Sequence, residues 1–527
     1  MSVPGISINP YDEVPFPSQP LSLSQPERMA AVGRLFGLQA PPSERCRVLE
    51  LGCATGGNII PLAERFSESQ FVGIDYSRAQ LLNAERLAGQ LQLSNLDLQF
   101  GDIAELDNSL GTFDYIICHG VYSWVSPELQ DKILALCRTL LSPNGIAYIS
   151  YNVFPAWHLR MVLRDVLWRA AQGAYGPKAR CAQARAVLEF LAKAAGDEPT
   201  AYARLLKAEA DSILRLPDGY IYHEYFENEN RPQYFHEFVS QISRFDLQYL
   251  GEAAPASMFS GNFGSQVEKH LQGLAFDLIA GEQHLDLLRN RGFRQSLICH
   301  AEIPLSRVIT PQSVADLYFF GRVAPQNPAI DLRARGTETF VAAGGLTLST
   351  SAPALKAALY HLNQEWPRAF TLDELLLVAA ELVGVRDGSM PPPQQAREAL
   401  GQNLAKCVAN GLLEVSGSPD GFVTKISERP LASRLARVEA YVGGRVTNRR
   451  HELIDVDGAT RNLLPHLDGN RDRQALIQDL IEAVDRGDVS ILVGGLPAKQ
   501  GEPVVKILEE TLDQSLQKLA NNALLIG

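Results

Sequence analysis

Val48-Leu-Glu-Leu-Gly-Cys-Ala-Thr-Gly-Gly-Asn58 is the stretch on which the reading of this chain turns. Arg47–Leu51 is an apolar strand, and the glycines after it end the strand in a tight turn. A helix from about Asn58 to Phe66 follows. Strand, glycine-rich turn and helix place a helix N-terminus, with its free N–H groups and positive dipole end, beside backbone that a ligand can approach closely. A carboxylate or a phosphate fits there. Gly52-x-Ala54-x-x-Gly57 is also a loose dinucleotide fingerprint, so the turn alone leaves the ligand open.

Outward from this turn the pattern repeats. Phe71–Asp75, Leu96–Gly101, Phe113–Cys118 and Gly145–Tyr151 read as further strands, with helices over Ala79–Leu93 and Pro127–Leu141. Alternation of this kind implies an α/β fold, a parallel Rossmann-like sheet with helices on both faces. Residues 156–215 are helical and rich in Ala, Leu and Arg. Pro232–Ser243 then reads as a helix, and Phe245–Leu250, Gly292–Phe293 and Gln295–Cys299 as strand-like runs. The expected plan is a cofactor core at 1–155, a helical insertion at 156–230, and completion of the sheet at 231–310.

Two carboxylates narrow the ligand. Asp75 ends the second strand, where an acid accepts from both hydroxyls of a ribose. Asp102 follows the third strand, placed to accept from an adenine amino group with Ile103 against the ring. A nicotinamide site shares the first feature but not the second. Glu50, inside the turn, is expected near an amino-acid end of the ligand. Together they specify the class I S-adenosylmethionine site, with Glu50, Gly52, Ala54, Gly56, Asn58, Asp75, Tyr76, Asp102, Ile103 and His119 as cofactor-binding residues.

Ligands of such sheets lie beyond the strand C-termini. His119, Tyr122 and Trp124 follow the fourth strand, and Asn152, Phe154 and Trp157 the fifth. Aromatic rings there suit an aliphatic stem ending in a cation, and Asn152 can accept from an amine. Each aromatic residue also has a plain reading as core. His119, Tyr122, Trp124, Asn152 and Trp157 are therefore expected to position the acceptor, and no residue is assigned as a general base. An Asp/Asn-Pro-Pro-Tyr/Phe motif, common in enzymes acting on amide or base nitrogens, is absent. His223-Glu224 lacks a second histidine at helical spacing, so no metal is expected. Glu224, Glu227 and Glu229 read as an acidic face, either solvated or attractive to a basic peptide.

The chain has 527 residues and a net charge of −12, which argues against nucleic acid as partner despite the basic run Arg445–Arg450. Apolar runs are too short for a membrane span, and no secretory signal heads the chain. Seven scattered cysteines at 46, 53, 118, 137, 181, 299 and 407 form no CxxC pair and indicate reduced thiols in a cytoplasmic protein. Beyond residue 330, helices at Ala354–Asn363, Leu372–Val383 and Pro393–Ala409 precede a hairpin of Leu412–Val415 and Phe422–Thr424. His361-Leu362 and Asn410-Gly-Leu-Leu return as His466-Leu467 and Asn522-Ala-Leu-Leu. Two mainly helical, winged-helix-like modules are expected, at 330–425 and 426–527.

Several stretches resemble bacterial protein lysine methyltransferases best known from rickettsiae, which carry a methyltransferase regulatory domain. They are Y-D-E-V-P-F-P-S (11–18), L-E-L-G-C-A-T-G-G-N-I-I-P (49–61), F-D-Y-I-I-C-H-G-V-Y-S-W-V (113–125), Y-N-V-F-P-A-W-H (151–158), Y-H-E-Y-F-E-N-E-N-R-P-Q-Y-F-H-E-F (222–238), E-Q-H-L-D-L-L-R-N-R-G-F-R-Q-S-L-I-C-H (282–300) and V-T-N-R-R-H-E (446–452). The resemblance implies a lysine-bearing protein substrate and a homodimer, and makes Tyr11 and Phe16 part of a lid over the cofactor. Methylation of a small metabolite, and a cofactor-binding interaction protein without strong catalysis, are the rival readings.

Overall fold

The computed structural model describes residues 10–527 apart from 197, 199, 260–262, 264, 275–276, 385–392, 494–495 and 499–500. The first nine residues of the expected cofactor core lie outside it. A seven-stranded sheet organises the N-terminal half. Its strands are β1 (Arg47–Leu51), β2 (Gln70–Asp75), β3 (Leu96–Phe100), β4 (Phe113–Cys118), β5 (Leu141–Asn152), β6 (Leu247–Glu252) and β7 (Phe293–His300), in the order β3-β2-β1-β4-β5-β7-β6. β7 runs antiparallel to β5 and to β6, and the β1–β5 pairings are parallel.

Alternate residues along each strand face opposite layers, and both layers are apolar. Val48, Tyr115, Ile117, Ile146 and Tyr148 point to one side, beneath helices Pro26–Leu35, Ile59–Arg65 and Arg78–Leu91. Leu49, Leu51, Ile116, Cys118, Ala147 and Ile149 point to the other, beneath Pro127–Leu140 and Phe235–Ser243. Burial on both faces explains why these strands read as continuous apolar runs. The order reverses between β1 and β4, which opens a crevice beyond the carboxyl ends of those strands.

The expected insertion is built of helices Ala156–Ala170, Pro177–Gly196, Ala201–Leu214 and Asp218–Phe226, around Leu163, Leu167, Leu188, Ile213 and Ile221. The middle module departs from expectation. Three unforeseen strands, Val323–Pro325, Glu338–Ala342 and Thr347–Thr350, make a small sheet before its first helix. The expected hairpin of Leu412–Val415 with Phe422–Thr424 does not form. Glu414–Ser416 pairs instead with Tyr318–Phe320. Asp420 Oδ2 accepts from Ala369 N at 2.8 Å, holding the turn to the neighbouring helix connection. Val423 N then donates to Leu525 O at 2.9 Å, and its side chain joins the last module's core. That module comprises helices Arg434–Val442, Gly458–Leu463, Arg473–Arg486 and Glu502–Asn521, with a hairpin of Arg445–Thr447 and Leu453–Asp455.

All seven cysteines are buried and unpaired. Among the described residues no helix is long and apolar enough to cross a membrane.

Candidate active site

The turn after β1 is a preorganised cradle. Gly52 has φ +77°, and a Cβ there would come within 2.5 Å of Val121 Cγ2. Ala54 adopts the left-handed region as well, at φ 49°. Its N–H donates to Asp75 Oδ2 at 2.8 Å, and Ser77 N donates to Asp75 Oδ1 at 2.8 Å. Asp75 is thereby fixed in direction while its oxygens keep further lone pairs for a diol. Burial raises its pKa despite these donors.

Glu50 is buried, at 3% exposure. Asn58 Nδ2 donates to its Oε1 at 2.9 Å, while Oε2 has no hydrogen-bond partner. Loss of solvation pushes this carboxyl up to about 8, offset in part by the Asn58 bond and reinforced by Asp75. A buried carboxylate oxygen without a donor suits a cationic amino group. The residues present therefore fit S-adenosylmethionine: a donor-poor acid for its ammonium, an oriented acid for its ribose, and a crevice beside β2 and β3 for its adenine. Tyr76, 60% exposed, stacks on Phe100 at 5.9 Å. Asp102 caps the turn Ile103–Glu105 by accepting from Ala104 N at 2.9 Å.

The last glycine of the turn serves a different neighbour. A Cβ on Gly57 would lie 2.6 Å from the Ser18 backbone, and Gly57 N donates to Ser18 Oγ at 2.8 Å. Residues 10–19 run across the site as a strap. Asp12 Oδ1 accepts from Ser77 Oγ at 2.6 Å and from Ala79 N at 3.2 Å. Tyr11 stacks face to face on His223 at 4.5 Å, and Phe16 meets the same ring edge-on at 5.8 Å. His223 Nε2 donates to Val14 O at 2.6 Å, and its Nδ1 lies 2.8 Å from Glu227 Oε1. Nε2 thus ties the strap to helix Asp218–Phe226, while Nδ1 is engaged by Glu227 at the C-terminal end of that same helix. Ser18, Asp12 and His223 were not foreseen as site residues. The run 11–18 was the signal, since only a packed segment needs that mixture of aromatic, acidic and proline residues.

On the acceptor side, Gln295 Nε2 donates to Tyr148 Oη at 2.6 Å, and His119 Nδ1 lies 3.0 Å from the same hydroxyl. Burial holds the His119 pKa down at about 4, so the ring is neutral. Phe293 sits edge-on to it at 5.8 Å. Asn152 Nδ2 donates to Asn230 Oδ1 at 3.1 Å, and Asn152 N to Ser123 Oγ at 2.8 Å. The partners Tyr148, Gln295 and Asn230 come from three elements far apart in sequence, which no local pattern announces.

Two expected acceptor residues are displaced into the core. Tyr122 and Trp157 are both 0% exposed. Tyr122 packs against Tyr151 and Phe238 at 6.2 and 5.7 Å, and Trp157 against half-buried Trp124 at 6.2 Å. They back the wall of the cleft rather than form its surface, because helix Phe235–Ser243 and the insertion cover them. Glu224 is likewise not part of an exposed acidic face: burial lifts it to about 7, against the pull of Arg160 and Arg164. Among the described residues no group of three His, Cys, Asp or Glu is placed to hold a metal.

Comparison with known proteins decides the family. The structure superposes on PKMT2 from Rickettsia typhi, whose complex with AdoHcy is known, with a TM-score of 0.87 and 30% identity over 97% of this chain and 100% of that one. An uncharacterised protein of Rickettsia prowazekii (strain Madrid E) is 32% identical over 526 residues, covering 98% of this chain and 94% of its own. The chain belongs to the PKMT family. Three family models divide it: a methyltransferase domain at 42–208, a predicted methyltransferase regulatory domain at 217–300, and the PKMT C-terminal winged helix domain at 428–524. The chain is accordingly an S-adenosylmethionine-dependent methyltransferase. Trans-aconitate 2-methyltransferase of Deinococcus radiodurans is 37% identical over 111 residues, 21% of this chain and 40% of that one. Likeness over such a segment therefore does not specify the acceptor.

Proposed function

We propose that this PKMT-family enzyme methylates lysine side chains of a protein. The observation that carries the reading is the end-to-end likeness to Rickettsia typhi PKMT2, which includes the helical insertion and the C-terminal modules as well as the cofactor sheet. A small metabolite needs none of that extra surface.

When bound, S-adenosylmethionine supplies an electrophilic methyl group on a positively charged sulfur. The protein's task is to hold the two reactants in line and keep water out. Glu50 takes the cofactor's amino-acid end and Asp75 its ribose, and the strap at residues 10–19 covers it. A lysine ammonium must lose its proton before attack. Lowering its pKa from about 10.4 to about 7.4 requires about 4 kcal/mol. A unit positive charge about 4 Å away contributes about 4 kcal/mol at an effective dielectric of 20. No strong base is then needed, which agrees with a buried, neutral His119 that is only a weak base. Asn152, held by Asn230, presents an amide toward the acceptor side, and Phe293 and Trp124 offer apolar surface for the aliphatic stem.

The test is incubation of the wild-type protein with methyl-labelled cofactor and a bacterial lysate, followed by peptide mass spectrometry. Methylated lysines are expected, absent with Asp75→Ala. Label confined to small molecules would overturn the lysine reading and leave the cofactor site standing.

A further inference from the structure

The V-T-N-R-R-H-E run at 446–452 lies in the C-terminal domain, nearly 400 residues from the cofactor turn, yet the two are in direct contact. Asn448 closes a tight turn: its Oδ1 accepts from Arg450 N and Glu452 N, both at 2.9 Å. This turn throws His451 into the left-handed region at φ 62° and aims its ring into the protein, where it is 4% exposed. His451 Nε2 lies 2.7 Å from Asn58 Oδ1.

A backbone donor fixes the orientation of the Asn58 amide and with it the direction of the His451 bond. Asn58 Nδ2 donates to Glu50, so its amide oxygen is an acceptor. That oxygen accepts from Leu21 N at 3.1 Å and lies 3.1 Å from Ser24 Oγ, so the bond from His451 Nε2 must also be a donation to it. The imidazole is therefore the neutral Nε2–H tautomer, and burial keeps it neutral by holding its pKa at about 3. A flipped Asn58 would turn its oxygen to the Glu50 carboxylate and its NH2 against the Leu21 N–H, losing both bonds.

Neighbouring bonds hold the domain in this register. Gln25 Nε2 donates to Arg450 O at 2.7 Å, Arg65 to Arg449 O at 2.8 Å, and Arg449 pairs with Glu64. Helix Ile59–Arg65, which begins immediately after Asn58, is thus gripped from the C-terminal domain at both ends.

We infer that His451 is a positioning residue for cofactor binding: by donating to Asn58 Oδ1 it locks the amide that orients Glu50, so that the C-terminal domain completes the cofactor cradle and is coupled to its occupancy. The inference rests on the cofactor site described above. Coupling of this kind is reciprocal, so the cofactor tightens the domain contact by the factor that the contact tightens the cofactor.

Binding calorimetry with S-adenosylhomocysteine tests it. His451→Phe, which keeps a ring but has no donor, is expected to bind about ten-fold more weakly. Its KM for S-adenosylmethionine rises with kcat at saturation unchanged. His451→Gln, whose amide reaches the same position as Nε2, recovers affinity to within about three-fold of wild type. Phe and Gln variants that are equally weak would mean that packing, not the donor, matters, and His451→Phe within two-fold of wild type would overturn the inference. The reciprocal measurement uses unaltered protein. Hydrogen exchange at amides 446–452 should slow about ten-fold on saturation with S-adenosylhomocysteine, and unchanged exchange defeats the coupling. Wild-type protein that fails to bind S-adenosylhomocysteine would defeat the cofactor site itself.

Discussion

The cofactor side and the acceptor side of the cleft are built by opposite means. On the cofactor side, Glu50, Ala54, Asn58 and Asp75 lie within 26 residues of one another, with Ala54 bonded to Asp75 and Asn58 to Glu50. On the acceptor side, His119 depends on Tyr148 and Gln295, and Asn152 on Asn230, from distant elements. Polar groups that satisfy each other locally leave a motif, whereas a wall assembled from four elements leaves only scattered aromatic residues. The same contrast separates oriented charge from packed area as the source of each half's function.

The largest expected effect is on the acceptor side and concerns stability. Trp157→Ala removes a fully buried indole and should lower unfolding free energy by about 3–5 kcal/mol in urea titrations. Trp124→Ala should cost less stability but reduce turnover of the acceptor. A stable Trp157→Ala protein with lost turnover would return Trp157 to the cleft surface and erase the contrast.

Next comes the cofactor side. Asp75→Ala deletes an acid that both orients the turn and accepts from the ligand, so calorimetry should show S-adenosylhomocysteine binding weakened about 100-fold. Unchanged affinity would remove Asp75 from the site.

Glu50 sharpens the comparison through pH. Its folded pKa is pushed up to about 8, above the ordinary carboxylate value of about 4.3. The folded state therefore binds more protons between those values, and this group makes the ligand-free protein less stable as pH rises through that window. An ammonium needs the ionised form, so affinity for S-adenosylhomocysteine should rise about ten-fold from pH 6.5 to 8. Glu50→Gln should flatten both trends, read as a difference from wild type in calorimetry and thermal unfolding. Parallel curves for the two proteins would exclude Glu50 as the ammonium partner.

The smallest effect tests the strap, which belongs to neither half alone. Tyr11→Ala loses the stack on His223 and should raise KM for S-adenosylmethionine about five-fold. An unchanged KM would make residues 10–19 a passive tether.

Much of the cofactor half was legible because its features are local: strand, glycine turn, helix N-terminus and strand-end acids recur at fixed offsets. Gly57 shows the limit even there. Its need for no side chain is explained by Ser18 of the strap, not by a ligand, and no pattern near residue 57 carries that information. Phe422–Thr424 failed as a strand for a related reason. Its Val423 side chain packs on the core of the following module, so local alternation was overruled by a tertiary partner.

What the sequence by itself determined is the alternation of strands and helices that builds the parallel part of the sheet, and the acids at the ends of its strands, since hydrophobic periodicity and backbone turn chemistry operate over a few residues. Only the tertiary structure decided which aromatic side chains reach the cleft, how the N-terminal strap crosses it, and that His451 meets Asn58. These depend on burial, and burial is a property of what the rest of the chain brings to a residue rather than of the residue's own neighbours in sequence.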